Sequence, residues 1–499
     1  LIVVIGIPNC IYFLNKYHTA WQDTGEKRKA LVEMVNRMGI VTLFCNISAA
    51  IGFAVFALTK SAILKEFGMV AGISIMAIFF ISLTAIPAVL SYLPPPKQKH
   101  VKYLDSKWLD HALTLAERWV FNHTRIIWIV TGLVLVFSVT GMLRLVSVGH
   151  MVDDIPQTDR IYTDLKFFER HFKGIMPLEI VVDTKKKYGF VGMKALNIFE
   201  KIDSLSQYIA AKPEMSRPLS LVEALKFARQ GFYDGDSTSY ALPNAFDGAF
   251  VNDYLRANNN SNSSNTNKDA FQQVMHAFMD SNRQKTRISV NMADVGSKAL
   301  PPILADIKKR SDELFDSTKY KVTYTGTSVT FLEGSRFIIN GLQESIMWAF
   351  LLIALCMLYL FKSFRILICS LVPNIVPLML TAGIMGWVGV PLKPSTVLIF
   401  GIALGIAIDV TNRFLVNYRQ ELPANHNRAK PTILQTIHHT GISIIYTSLV
   451  LIAGFSIFIF SGFGGTMALG WLTSLTLLAA TVTNLVLLPV LLAAFHREK

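Results

Sequence analysis

Two residues one helical turn apart, Asp409 and Arg413, have the types and spacing for unusual chemistry. Asp409 is the one acidic residue deep inside a predicted membrane span, the apolar run Ser395–Phe414. An ionised Asp at the centre of a membrane helix costs about 2.5–3.5 kcal/mol on insertion scales, so it needs a partner or a task. Arg413, four residues on, falls on the same helical face. Two readings are open. The pair is a fixed ion pair that satisfies both charges, or Asp409 changes charge while the long Arg413 side chain approaches in one state and swings toward the interface in another. Asn9, Thr447 and Ser448 complete the candidate set; Asn46, Ser48 and Thr411 are further polar positions in the same runs. Ser and Thr in such helices commonly bond their own backbone.

Other chemistries lack their residues. The sequence has no G-x-x-x-x-G-K-[ST] loop, so ATP is not expected to be a direct energy source, and no H-E-x-x-H motif. Cys10, Cys45, Cys356 and Cys369 all lie in apolar blocks, without zinc spacing or a disulfide framework. His438-His439 reads as surface. Neither an enzyme nor a cofactor is expected.

The elements that must hold Asp409 are membrane helices. Of 499 residues, 52% are hydrophobic and 16% charged, with mean hydropathy +0.41. A soluble chain usually carries about 25% charged residues. Nine apolar runs stand out: Leu1–Leu14, Ile40–Leu58, Phe67–Leu93, Ile126–Leu145, Ile338–Phe361, Ile366–Val390, Ser395–Phe414, Gly441–Ser461 and Met467–Phe495. Spanning takes about 20 residues, so the first reads as the end of a helix begun upstream. One alternating set of loops holds 18 Lys/Arg and the opposite short loops hold 3, Lys60, Lys65 and Lys393. By the positive-inside rule the first set is cytoplasmic. The net charge of +14 is thus partly a topology and membrane-surface feature, and nucleic acid is not the expected partner.

Residues 148–337 are then expected outside the cytoplasm as an α+β domain. Leu178–Asp183, Arg287–Asp294 and Tyr320–Thr325 read as strands, and Met193–Ala211 and Pro302–Phe315 as helices. Asn258–Asn267 reads as a flexible loop, and Leu104–Val120, within the linker 94–125, as an amphipathic helix on the cytoplasmic surface.

The chain also repeats itself. With Leu1–Leu93 laid over Ile402–Phe495, Gly39 meets Gly441, Gly52-Phe53 meets Gly454-Phe455, Gly68 meets Gly470 and Pro87 meets Pro489. The offset is 402 from Gly39 onward and 401 before it, where Lys16-Tyr17-His18 meets Asn417-Tyr418-Arg419. Both copies enter the membrane in the same direction, and transporters commonly place a coupling or substrate site between such halves. The first copy has Pro8-Asn9 where the second has Asp409-Val410, so any relay is asymmetric.

Gly401-Ile-Ala-Leu-Gly-Ile-Ala-Ile-Asp409, Leu371-Val-Pro-Asn-Ile-Val-Pro377, Gly389-Val-Pro-Leu-Lys-Pro-Ser-Thr396, Gly454-Phe455 and Leu488-Pro489 resemble the MMPL-type, hydrophobe-exporting branch of the resistance–nodulation–division (RND) superfamily. That resemblance implies a polytopic helical membrane protein with an extracytoplasmic α+β porter-like domain and a parallel internal repeat. Residues 1–93 would be helices four to six of twelve, the first truncated. Residues 126–147 would be helix seven, 148–337 a periplasmic domain, and 338–499 helices eight to twelve. It implies proton-driven export of lipids or other hydrophobic molecules from the bacterial inner membrane, with lipids and protons as partners and a dimer or trimer as the assembly. In the family an Asp at the place of Asp409 carries protons, often followed by Tyr or a second Asp, with His four residues on; here Val410 and Arg413 stand there. The competing expectations are an accessory subunit of Sec-type secretion and a sterol- or lipid-sensing protein without transport.

Overall fold

The computed structural model describes residues 2–59, 61–97, 101, 107–145, 149, 154–191, 194–244, 247 and 273–495. The chain divides into two compact units, residues 1–147 with 337–499, and residues 148–336. In chain order the helices are α1 (Ile2–Thr24), α2 (Lys27–Ala54), α3 (Ala62–Tyr92), α4 (Lys107–Asn122) and α5 (Thr124–Met142). Then come α6 (Arg160–His171), β1 (Met176–Asp183), α7 (Lys194–Ala210), β2 (Leu219–Ser220), α8 (Leu221–Phe232), β3 (Lys285–Met292), α9 (Gly296–Leu314) and β4 (Lys321–Thr325). The chain continues through α10 (Thr327–Phe361), α11 (Phe364–Val388), α12 (Pro394–Glu421), α13 (Ala429–Ser456), α14 (Gly464–Val482) and, after a π-turn at Thr483–Leu487, α15 (Leu488–Phe495).

Among the described residues eight helices are long and apolar enough to cross a bilayer, so the protein is a multi-pass membrane protein. Their burial differs. The most apolar window of α12 is 78% buried, against 17% for that of α3 or α5, which places α12 at the centre of the bundle. Exposed Ile73, Phe80, Ile129, Leu133 and Val136 on α3 and α5 suit a lipid-facing surface, where apolar residues need no protein cover.

The repeat appears in the helix bounds. Both ends of α2 recur 402 residues on in α13, and each ends in a short 3₁₀ turn, Val55–Leu58 and Ile457–Phe460. The copies interlock: α1 packs on α13, and α2 on α12. Glycines permit the close approach. A Cβ on Gly52 would lie 3.1 Å from Gly405 Cα, and one on Gly401 would fall 2.0 Å from the Phe56 ring. A Cβ on Gly386 would lie 1.9 Å from the Gly141 carbonyl oxygen, so α5 and α11 touch backbone to backbone.

The second unit is an α+β fold. Its antiparallel sheet has the order β2-β3-β1-β4, with Ile180 opposite Ile288 on one side and Tyr324 on the other. β1 alternates between buried and half-buried residues, and buried Leu178, Ile180, Val182, Ile288 and Val290 join Phe199, Ile202 and Leu205 of α7 in its core. α9 begins at Gly296, ahead of the expected Pro302, and carries Pro301 and Pro302 inside it. α6 and α8 are short helices whose mixed sequences do not announce them: α6 buries no residue, while α8 packs Leu221, Val222 and Leu225 inward. The loop Asn258–Asn267, residues 104–106 of the amphipathic stretch, and Leu1 lie outside the described residues. The remainder of that stretch is α4, which buries Leu109, Leu113 and Val120.

Candidate functional site

Asp409 and Arg413 sit on α12 where the two copies meet. Arg413 is 2% exposed; its Nε donates to Asp409 Oδ2 at 3.0 Å, and its Nη2 lies 2.9 Å from the same oxygen as an ion pair. The first copy completes the site. Arg413 Nη2 also donates to Asn9 Oδ1 at 2.9 Å, Asn9 Nδ2 donates to Asn46 Oδ1 at 3.0 Å, and Asn46 Nδ2 donates to the Thr42 carbonyl at 2.7 Å. The guanidinium carbon lies 4.6 Å from the centre of the Tyr12 ring, a cation–π distance. Asn417 Nδ2 donates to the Tyr12 hydroxyl and, at 2.8 Å, to the Arg413 carbonyl. Arg413 Nη1 is buried with no hydrogen-bond partner among the described residues.

Local sequence explains the helix half of this. Lys393 and Pro394 start α12: Thr396 Oγ1 accepts from the Lys393 backbone at 2.8 Å, and Pro stands at the first helical position, where its missing N–H is not needed. Four-residue spacing then stacks Asp409 under Arg413. The remaining partners come from α1 and α2, about four hundred positions away in sequence.

The five expected site residues divide. Asn9, Asp409 and Arg413 form one hydrogen-bonded group. Thr447 and Ser448 on α13 are buried, but Thr447 Oγ1 donates to its own helix at Ile444 O, 3.1 Å away. Neither bonds Asp409 or Arg413 among the described residues. Tyr12 and Asn417 are the residues that sequence reasoning missed, although a signal existed: in the repeat alignment Tyr12 falls on Arg413 at an offset of 401. His438 is half-buried and His439 exposed, and each meets a carboxylate, His438 Nε2 at 3.1 Å from Glu117 and His439 Nδ1 at 3.1 Å from Glu421.

A second polar centre surrounds Thr411, which faces away from Asp409. Its hydroxyl lies 3.0 Å from Asn374 Oδ1 and 2.6 Å from Asn484 Oδ1, joining α11 and α12 to the π-turn. π-turns inside helices often mark functional positions.

Two cavities complete the picture. Asp409, Asn9, Asn46, Phe53 and Gly405 line a void of about 20 Å³, room for about one water. A cleft of about 660 Å³ lies along the first half of the apolar run of α10. Its wall combines Leu58, Phe337, Trp348 and Leu352 with Asn340 and Glu344. It is more polar than the Leu/Ile/Phe lining that a bare hydrocarbon would select, and suits an amphipathic molecule.

Residues 1–122 and 240–499 match the MMPL family. The hopanoid transporter HpnN of Rhodopseudomonas palustris (strain TIE-1) is 24% identical over 226 residues, covering 44% of this chain and 23% of that protein. The NPC1-like intracellular cholesterol transporter 1 of Mus musculus is 25% identical over 245 residues, 43% of this chain and 18% of that protein. The matches thus span less than a quarter of the length of these relatives.

Proposed function

This chain belongs to the MMPL family, and from that premise we propose that it is a proton-driven transporter of a lipid or other hydrophobic molecule. The observation that carries this reading is a half-buried carboxylate in one copy of the repeat, paired with the buried Arg413 and bonded through it to Asn9 of the other. Proton coupling needs a group whose charge changes inside the membrane and whose change is felt by two parts that move. Neutralising Asp409 releases the Arg413 guanidinium, which with Asn417 ties α12 to α1, Arg413 through Asn9 and Asn417 through Tyr12. Lipidic cargo is supported by the similarity to a hopanoid transporter and a cholesterol transporter, and by the amphipathic cleft beside α10. A lipid tail gains about 0.8 kcal/mol for each CH₂ kept out of water, which favours a route along such a cleft. The charge bias of the loops supports an orientation with residues 148–336 on the non-cytoplasmic side, which in a bacterial inner membrane is the periplasm.

The test uses the full chain in liposomes containing a polycyclic lipid such as cholesterol, with an acceptor outside and an imposed pH gradient. Asp409→Asn, which keeps the shape and removes the titratable group, is expected to lose gradient-driven lipid transfer while remaining folded and inserted. Transfer at the wild-type rate would make the pair structural and favour a sensor that does not transport.

A further inference from the structure

The polar face of α12 does not end at Arg413. Asp409, Arg413, Asn417 and Glu421 follow one another at spacings of four, which puts them on one side of the helix. Twelve residues at 1.5 Å each make a stripe about 18 Å long. The coupling site uses its first half. Beyond Asn417 the stripe borders a cavity of about 190 Å³, enclosed by α1, α12 and α13 and lined by Tyr12, Asn15, Asn417, Glu421, His439 and Ser443 among others. Asn15 Nδ2 donates to Ser443 Oγ at 2.6 Å across it. Glu421 is held on both oxygens: Thr436 Oγ1 donates to Oε2 at 3.0 Å, and His439 Nδ1 lies 3.1 Å from Oε1. The Glu421 side chain is 16% exposed and that of His439 50%, so the pair reaches from the cavity to the surface. On the opposite side of Asn417, Asp409 lines the void of about 20 Å³.

We infer that Glu421 and His439 are the proton-exchange pair of this transporter, where a proton bound for or leaving Asp409 passes between the polar cavity and bulk water on the side of the basic loops. The inference rests on the relay reading of Asp409. Each transfer moves one proton and no electrons: Glu421 Oε1 and His439 Nδ1 exchange it across their 3.1 Å contact, and the half-exposed imidazole exchanges with water at Nε2. Inward of the cavity, the Tyr12 hydroxyl can both give and take a proton. The Asn417 amide cannot, and its bond to Tyr12 holds that hydroxyl in place. Arg413, fully protonated at any working pH, blocks the stripe while it is seated on Asp409, so its withdrawal opens the route. The other charged groups facing the pair are Lys16 of α1, which lines the same cavity, with Asp23 of α1 and Glu33 and Arg37 of α2 within electrostatic reach of it. His438 of α13 is beside the pair, held by Glu117 of α4.

A purely structural role would have Glu421 and His439 pin the end of α12 to the start of α13. Proton flux into liposomes holding an entrapped pH-sensitive dye separates the two roles, using the full chain with cholesterol in the bilayer. In weak buffer, Glu421→Gln and His439→Gln are each expected to slow flux by roughly tenfold or more. Added imidazole, a small diffusible proton carrier, should restore most of it, while Asp409→Asn stays inactive with or without imidazole. Flux near wild type in both variants, with Asp409→Asn inactive, overturns the exchange pair and leaves the relay standing. Lost flux that imidazole does not restore overturns it in favour of the structural role. Wild-type flux in Asp409→Asn overturns the relay itself.

Discussion

The two copies of the repeat share a backbone and differ in charge. α2 and α13 have bounds 402 residues apart, and Gly68 and Gly470 make the same contact in each: an added Cβ would lie 2.7 Å from Phe56 Cβ in one and 2.9 Å from Phe458 Cβ in the other. At the interface the match ends. Pro8 stands where the second copy has Asp409, Tyr12 where it has Arg413, and Cys10 where it has Thr411. The first copy supplies neutral amides and a phenol; the second supplies the ion pair, the Asn484 amide and the π-turn. Duplicated packing thus tolerates diverged chemistry, because glycine-mediated helix contact depends on shape, whereas a buried charge needs one counter-charge and not two. Two carboxylates at symmetric positions around a single Arg413 would leave one unpaired in the membrane.

Substitutions at equivalent positions sharpen this contrast. The largest effect is expected from Arg413→Ala, which leaves the half-buried Asp409 carboxylate inside the membrane unit without its partner. Breaking a buried pair costs about 3–5 kcal/mol, to be read as a large fall in the midpoint of thermal unfolding in detergent. The effect on its first-copy counterpart should be much smaller: Tyr12→Phe removes only the hydroxyl that meets Asn417, about 1 kcal/mol. Equal losses for the two would show that the copies share the load and break the comparison.

Packing should behave symmetrically where the contact lies within each copy, as at Gly68 and Gly470, and asymmetrically where another helix intervenes, as at Gly441. Gly68→Ala and Gly470→Ala are each expected to destabilise by about 1–3 kcal/mol, since both press on a 3₁₀ turn. Gly39→Ala is expected to be nearly neutral, because its Cβ would meet Leu83 Cδ1 at an ordinary 3.7 Å. Its counterpart Gly441→Ala must move Leu113, whose Cδ2 would lie 2.5 Å away, so the cost should fall between these. Thermal unfolding of the four variants checks the order.

The smallest effect is expected outside the membrane unit. Glu223 of α8 is half-buried, which opposes ionisation, but hydrogen bonds from Tyr240 and Lys226 and the charges of Lys226 and Arg217 together outweigh that desolvation and hold its carboxyl below the usual range. A depressed carboxylate stabilises the fold above its unfolded pKa, about 4.3, and that contribution disappears as pH falls through the lower folded value. Hydrogen exchange of residues 217–232 in the full chain, taken relative to the intrinsic rate at each pH, should therefore rise between pH about 5 and about 3 in the wild type. In Glu223→Gln it should be raised already at neutral pH and depend less on acidity. An identical pH profile in both proteins would remove Glu223 from the account.

The membrane runs and the pairing of Asp409 with Arg413 were legible in the sequence because each rests on local periodicity, and the repeat because the same residues recur at a constant offset of 402. The inserted unit was legible in part: the three longer strands and α7 follow alternation or helical spacing, while α6, α8 and the early start of α9 did not stand out, since short or proline-containing helices carry little periodic signal. Thr447 and Ser448 were chosen for their type, and the structure gives Thr447 the back-bonding role common to hydroxyls in helices.

By itself the sequence determined that this is a multi-pass membrane protein with a duplicated helical unit and one deeply placed acid, because a bilayer imposes length and polarity on every spanning segment. Only the tertiary structure decided what that acid meets. Asn9 and Tyr12 reach Arg413 and Asn417 across separations of 404 and 405 residues, and His439 reaches Glu421 from the next helix. None of these residues is unusual for its own helix. Their roles arise because two copies pack α1 against α13 and α2 against α12, bringing buried polar groups together where each can satisfy the other's hydrogen bonds.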